Sequence, residues 1–308
     1  MQGKVVTVFG GSGFIGRYIV RALLARGARV RVAGRDPSDG WFLKTQGGLG
    51  QTQFVAADVR KPSSVARALI GADAAINLVG ILKGDFQAFH VDGARNVAEA
   101  AAKAGCTALV HLSAIGADVN SAAHYGRSKG EGEAAVRAAF PDATILRPSI
   151  VFGREDNFVN RFAGMIASLP VVPVIRAPAK LQPIYVADVA NAVVAALDNA
   201  HGGKTYEIGG PQVPSMFTLN KWIAQAIGRD PTFLPFSDAL AAIIASTTGW
   251  LPGAPITPDQ LKMLQTDNVV TGENGLKALG ITPTPIEAVA NEWLVRYRRH
   301  GRFTAARA

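Results

Sequence analysis

Cysteine is nearly absent. Cys106 stands alone in 308 residues, which excludes an intrachain disulfide and a thiolate-built zinc site. It lies just before an apolar run, a setting for packing rather than for a nucleophile. Histidine is scarce as well: positions 90, 111, 124, 201 and 300 hold all five, without metal-ligand spacing, and no metal site is expected. No stretch reaches the ~20 apolar residues that cross a bilayer. The first strand-like run starts at residue 4, so the expectation is a chain without signal or transit peptide, in a reducing, cytoplasmic compartment. Internal repeats and low-complexity linkers are missing too. Acidic residues are outnumbered, 23 Asp and Glu against 32 Lys and Arg, for a net charge of +9. That balance favours anionic partners: a phosphorylated ligand, an acidic protein or an anionic membrane surface. No nucleic acid is expected, because no basic run is interleaved with exposed aromatics. Part of the excess sits in the tail, at Arg296–Arg302 and Arg307.

What the chain has in quantity is apolar residues, 48% of the total, enough for a large core and too many for disorder. Apolar runs at Val5–Phe9, Arg29–Ala33, Gln53–Ala56, Ala74–Leu78, Ala108–Leu112 and Thr144–Leu146 alternate with helical patterns. The helical patterns cover Phe14–Arg26, Pro62–Ile70, Phe86–Ala104 and Ala122–Phe140. Strand and helix in such alternation predict an α/β fold, a doubly wound parallel Rossmann sheet with helices on both faces. Gln182–Val186 and Lys204–Ile208 read as returns to the same sheet, with a helix at Asp188–Asp198 between them. The expected division is a dinucleotide-binding domain at 1–153, with 182–211 returning to its sheet, and a second lobe at 154–181 and 212–308. The second lobe is richer in proline, lacks strand alternation, and is expected to be mostly helical and to roof the cleft.

The first strand runs straight into Gly10-Gly-Ser12-Gly13-Phe14-Ile15-Gly16. Gly10 makes a turn that a Cβ would oppose, Gly13 lets backbone approach a pyrophosphate, and Gly16 lets helix pack on strand. The free N–H groups at the helix start then face the phosphates. This Gly-x-x-Gly-x-x-Gly spacing resembles the extended and atypical branches of the short-chain dehydrogenase/reductase superfamily. After the second strand comes Gly34-Arg35, where an NAD enzyme usually carries an acid; a guanidinium suits the 2′-phosphate of NADP(H). Asp36, one residue on, leaves an acidic partner for NAD open. Asp58-Val59 resembles the superfamily's adenine-contacting pair, and Asn77-Leu78-Val79-Gly80 its Asn-Ala-Ala-Gly motif lining the cofactor cleft.

Tyr125 and Lys129 stand four apart on one helix face. A nearby ammonium, together with the positive nicotinamide ring of a bound cofactor, is expected to favour the phenolate and lower the tyrosine pKa toward working pH. With Ser113 at the end of the fifth strand, they match the superfamily's catalytic trio residue by residue. The match implies that Ser113 polarises a carbonyl, Tyr125 passes a proton and Lys129 tunes it and holds the ribose. Only eleven residues separate Ser113 from Tyr125, about half the loop usual in the extended branch. That loop normally builds a wall of the substrate pocket.

Four longer stretches resemble one subfamily. They are Leu146-Arg-Pro148-Ser-Ile150-Val-Phe-Gly153 continuing to Asn160, Gln182–Ala190, Tyr206–Pro211 and Ile256–Val270. The subfamily is that of the short-chain dehydrogenase-like accessory subunits of respiratory complex I (NADH:ubiquinone oxidoreductase), in bacterial form. The resemblance implies a protein that holds NADPH tightly, with Pro148 and Ile150 among the cofactor-lining residues. It also implies peripheral-arm partners near the quinone site and a place on the cytoplasmic membrane's surface. The intact trio keeps a second function open, an NADPH-dependent oxidoreductase or epimerase, as in ubiquinone biosynthesis. The apolar segment Leu240–Gly253, with Trp250, is too short to span a bilayer; packing of the second lobe on itself accounts for it, and pressing on a partner or membrane surface stays open. The oligomeric state has no signature.

Overall fold

Each β-branched run in the first half of the chain becomes a strand, and each amphipathic run between two of them a helix. In the computed structural model, which describes residues 1–248 and 256–303, the strands are β1 (Val5–Phe9), β2 (Arg29–Gly34), β3 (Thr52–Ala56), β4 (Ala74–Asn77), β5 (Ala108–Leu112), β6 (Thr144–Pro148), β7 (Val151–Phe152), β8 (Val171–Ile175), β9 (Ile184–Tyr185), β10 (Thr205–Ile208) and β11 (Thr232–Phe236). The main helices are α1 (Phe14–Ala25), α2 (Pro62–Leu69), α3 (Gly93–Lys103), α4 (His124–Ala139), α5 (Val159–Ser168), α6 (Val186–Ala195), α7 (Met216–Ala226) and α8 (Asp238–Thr248).

The chain divides into two units. The first comprises Met1–Pro148, Val186–Ile208 and Gly272–Thr282. Its sheet has seven parallel strands in the order β10-β6-β5-β4-β1-β2-β3. The chain leaves β1 toward β2 on one side and returns to β4 on the other, so the strand order reverses between β1 and β4. A crevice at the carboxyl ends of the strands belongs at such a point. The register aligns those ends: Phe9 pairs with both Ala33 and Asn77, and Asn77 pairs with His111. The strands alternate by twos. Phe9, Ala75 and Leu109 face a core shared with Val65, Leu69, Val97 and Val136 of α2, α3 and α4. Helix α6 packs along α1.

The second unit comprises Ser149–Tyr185, Gly209–Thr271 and Pro283–Ala308. Its core joins Phe152, Ile166, Val172, Leu219, Ile223, Trp293 and Leu294. Two expectations are corrected here. Gln182–Val186 does not return to the large sheet; Ile184–Tyr185 pairs with Val151–Phe152 in a two-stranded sheet of its own. Nor is this unit without further strands, since β8 and β11 pair in parallel from Val171↔Thr232 to Ile175↔Phe236. Pro173 and Pro235 interrupt the alternation pattern. In a two-stranded sheet each strand keeps an open edge, where a missing N–H costs no ladder bond.

Candidate functional site

The three glycines of the Gly-x-x-Gly-x-x-Gly motif, 10, 13 and 16, have three different reasons. Gly10 has φ +79°, a left-handed conformation that side chains resist. A Cβ on Gly16 would lie 2.6 Å from Gly11 Cα, so only glycine lets α1 start this close to β1. Gly13 is unlike both: a Cβ there would meet only Gly10 O, at 3.3 Å. Apart from that one close contact, no other atom of the fold lies within 4 Å of an added Cβ, which leaves room there for a ligand. Gly13 is also the N-cap of α1, with no side-chain cap and no acidic residue in the first turn. Such a helix start attracts an anion.

Around this turn the strand ends converge. Gly10 lies against Leu78 and Val79, and Ser12 near Gly34. Asn77 is 1% exposed; its amide donates to His111 Nδ1 at 3.2 Å and its carbonyl accepts from Val79 N at 3.1 Å. That orientation makes Nδ1 of His111 an acceptor and places the imidazole proton on Nε2. Burial first, then the Lys129 charge, hold His111 well below the usual histidine range. Arg35 is exposed. Asp36 is committed elsewhere: it caps the 3-10 segment Pro37–Gln46, accepting from Ser38 N and Oγ at 2.8 and 2.7 Å. These bonds lower its pKa.

Asp58 is gripped by Arg60 at 2.6 Å and held below the usual carboxylate range mainly by that contact. Val59 is a buried core residue whose carbonyl takes Asn96 Nδ2 at 2.8 Å. Pro148 closes the first unit, accepting from Ile115 N at 3.0 Å. Ile150 belongs to the second unit, where its amide donates to Asn268 Oδ1 at 3.0 Å.

The Ser–Tyr–Lys set sits at the ends of β5 and α4. Ser113 is 5% exposed and its hydroxyl has no hydrogen-bond partner. A buried hydroxyl left so calls for a ligand or water. Lys129, 4% exposed, donates to Leu112 O at 2.8 Å. Burial pushes its ammonium down to about 8. Burial likewise pushes the Tyr125 phenol up to about 12, the opposite of the direction expected from a neighbouring ammonium. Desolvation is the cause, and the Lys129 ammonium is itself buried and engaged by a backbone carbonyl.

Helix α4 explains the short Ser113–Tyr125 loop. It carries glycine at 126, 130 and 132, poor helix formers at about 1 kcal/mol each. A Cβ on Gly126 would meet Ser121 Oγ at 2.7 Å, and one on Gly130 would meet Asp118 C at 2.6 Å. The loop therefore lies directly on the helix backbone. Gly132 would likewise clash with the carbonyl of His90, a residue that the sequence gives no reason to single out. Its position within the expected helix Phe86–Ala104 is the only signal. The structure widens that helix into a π turn at Gln87–Asp92.

The subfamily motifs meet one another inside the second unit. Ser149 Oγ reaches Asn268 Oδ1 at 2.7 Å, Gln182 Oε1 accepts from Val270 N at 2.9 Å, and Gln182 Nε2 donates to Gly210 O at 2.8 Å. Buried Asp156 accepts from the amides of Gly153, Phe158 and Asn160 at 3.0, 2.7 and 3.2 Å. Thr257 and Gln260 form a capping box. These residues tie loops together.

Residues 6–209 match the model of the NAD dependent epimerase/dehydratase family. The chain is similar to the mitochondrial NADH dehydrogenase (ubiquinone) 1 alpha subcomplex subunit 9 of Rattus norvegicus, 37% identical over 97% of this chain and 82% of that protein. It is also similar to the subunit of the same description from Arabidopsis thaliana, 34% identical over 98% and 80%. Among solved structures, the NADPH-dependent quinone oxidoreductase of Escherichia coli in complex with NADPH aligns over 94% of this chain and 99% of that one, with a TM-score of 0.76 and 22% identity. That likeness is one of fold.

Proposed function

The chain belongs to the NAD dependent epimerase/dehydratase family and shares nearly its whole length with alpha subcomplex subunit 9 of NADH dehydrogenase (ubiquinone), and from that premise we propose that it is an accessory subunit of complex I that holds NADP(H) as a structural ligand. Two observations fit the residues to a dinucleotide: the space kept open at Gly13, and the buried, unpartnered hydroxyl of Ser113. Gly10, Ser12, Gly13, Phe14, Ile15 and Gly16 would hold the phosphates, and Lys129 the nicotinamide ribose. The 2′-phosphate falls to Arg35, because Asp36 is occupied by its cap.

The observation that carries the structural role is the state of the trio. In the chain without nucleotide, burial holds the Tyr125 phenol up at about 12 and the Lys129 ammonium is engaged by the Leu112 carbonyl, a state that fits binding better than proton transfer at neutral pH. The proposed partners are peripheral-arm subunits near the quinone site, with an anionic membrane surface beside them. Helix α8 supports contact with an apolar surface, while the chain's net charge of +9 is what favours an anionic one. The helix buries Ala241 and Ala245 while Leu240 and Ile243 are 42% and 59% exposed, and residues 239–257 carry no charge. Trp250 lies outside the described residues. No helix among the described residues is long and apolar enough to cross a membrane, and the proposed location is peripheral, on the cytoplasmic membrane.

The test is a native gel of gently solubilised membranes. The chain is expected to co-migrate with NADH dehydrogenase activity and to carry NADP(H) that small ketones and quinone analogues leave unoxidised. A chain running free of an intact complex I, or steady NADPH consumption, refutes the reading. One observation favours the enzymatic alternative: the buried Ser113 hydroxyl has no partner among the described residues and so has a proton to give a substrate carbonyl. A bound nicotinamide would supply hydride, and Tyr125 would hold the proton.

A further inference from the structure

His90 is 2% exposed and both its ring nitrogens are used. Nε2 accepts from Ile81 N at 2.9 Å, which fixes the proton on Nδ1. Nδ1 then donates to Ser128 Oγ at 2.8 Å, and the Ser128 hydroxyl donates to the carbonyl of Tyr125 at 2.8 Å. The imidazole is stacked on Phe86, with centroids 5.2 Å apart and planes at 15°. It meets the Tyr125 ring edge-on at 5.5 Å and 88°, and Phe86 meets the same ring at 6.1 Å and 80°. The π turn and the bare backbone of Gly132 bring the imidazole this deep. π turns recur at functional sites because they re-aim a side chain without ending the helix.

We propose that His90 is the positioning residue for Tyr125: the relay Ile81 amide, His90, Ser128, Tyr125 carbonyl, together with the Phe86–His90 ring stack, sets where the phenol points. Every donor in the relay has one acceptor, so the arrangement is unique and has no slack. Burial and the Lys129 charge push the imidazole down to about 4, and it stays neutral, with the tautomer the relay requires, at any working pH. The role is the same whether the phenol ends on a ribose hydroxyl or on a reacting carbonyl. Only the affinity part of the test below rests on the dinucleotide reading.

Phenolate absorbance, as the difference from a Tyr125→Phe protein, gives the Tyr125 midpoint in the purified full chain without nucleotide. In His90→Phe and in Ser128→Ala the midpoint is expected to fall by about one pH unit as the phenol is released toward water. His90→Asn, which keeps an N–H donor near the Nδ1 position but loses the ring stack and the acceptor for Ile81 N, is expected to give a midpoint between that of the parent and that of His90→Phe. NADPH affinity should drop about tenfold in each broken relay, and the double variant should lose no more than either single one. An unmoved midpoint in both His90→Phe and Ser128→Ala overturns the proposal, and Ser128→Ala decides alone if His90→Phe does not fold. A parent chain that binds no dinucleotide refutes the dinucleotide reading and leaves the midpoint to decide the role of His90.

Discussion

The Gly13→Val substitution adds a branched side chain at the glycine of the turn whose added Cβ would meet the fewest neighbours. An added Cβ meets a single atom, Gly10 O, at 3.3 Å, and Gly13 has φ −72° and ψ −179°, a conformation open to any residue. Losing glycine as N-cap costs about 1 kcal/mol at most, so the variant should fold and melt, without ligand, within a few degrees of the parent. Its ligand response should vanish. At 100 times Kd a bound nucleotide stabilises by about 2.7 kcal/mol, which in a chain of this size raises Tm by roughly 4 °C. Differential scanning fluorimetry with and without NADPH measures both quantities. The contrast is Gly16→Ala, whose Cβ would lie 2.6 Å from Gly11 Cα; overpacking there should cost about 1–3 kcal/mol with or without ligand. A Gly13→Val protein that keeps its NADPH shift refutes the placement of the phosphates. One that fails to fold refutes the claim that the open space is not structural.

Arg35→Ala should weaken NADPH binding by about 1.5–3 kcal/mol, the worth of a charge-assisted contact, and leave NADH binding unchanged; isothermal titration with both nucleotides decides, and equal losses refute the assignment. Lys129→Ala should cost a similar 1.5–3 kcal/mol of NADPH affinity and Tyr125→Phe only about 0.5–1.5 kcal/mol, and assembly of complex I in cells should follow nucleotide occupancy rather than the phenol. Acid should destabilise the fold through its buried histidines. His90 falls from an ordinary 6.5 to about 4, so between those values the unfolded chain binds a proton that the native one refuses. Stability is then lost as pH falls through that window, by about 3 kcal/mol for His90 alone. Urea melts at pH 7, 6 and 5 should show the fall, with a shallower slope in His90→Asn; equal slopes refute it.

The order of strands and helices in the first unit was legible because it rests on local rules. The period of apolar residues distinguishes strand from helix, and the glycine turn joining β1 to α1 needs a positive φ at Gly10 wherever the chain goes next. Ser113, Tyr125 and Lys129 were singled out by their resemblance to the superfamily's trio, with strand end and helical spacing, which are local, only placing them. Contacts between distant segments were not legible. That Ile184–Tyr185 pairs with Val151–Phe152 rather than with the large sheet depends on neighbours no short window contains. The glycines of α4 read as flaws in a helix until a loop and the His90 carbonyl lie against them. The direction of the Tyr125 pKa also belongs to the tertiary structure. The sequence by itself determined which side chains stand at the carboxyl ends of the strands. Only the folded chain decided their surroundings, because desolvation and hydrogen bonding depend on everything packed around a group.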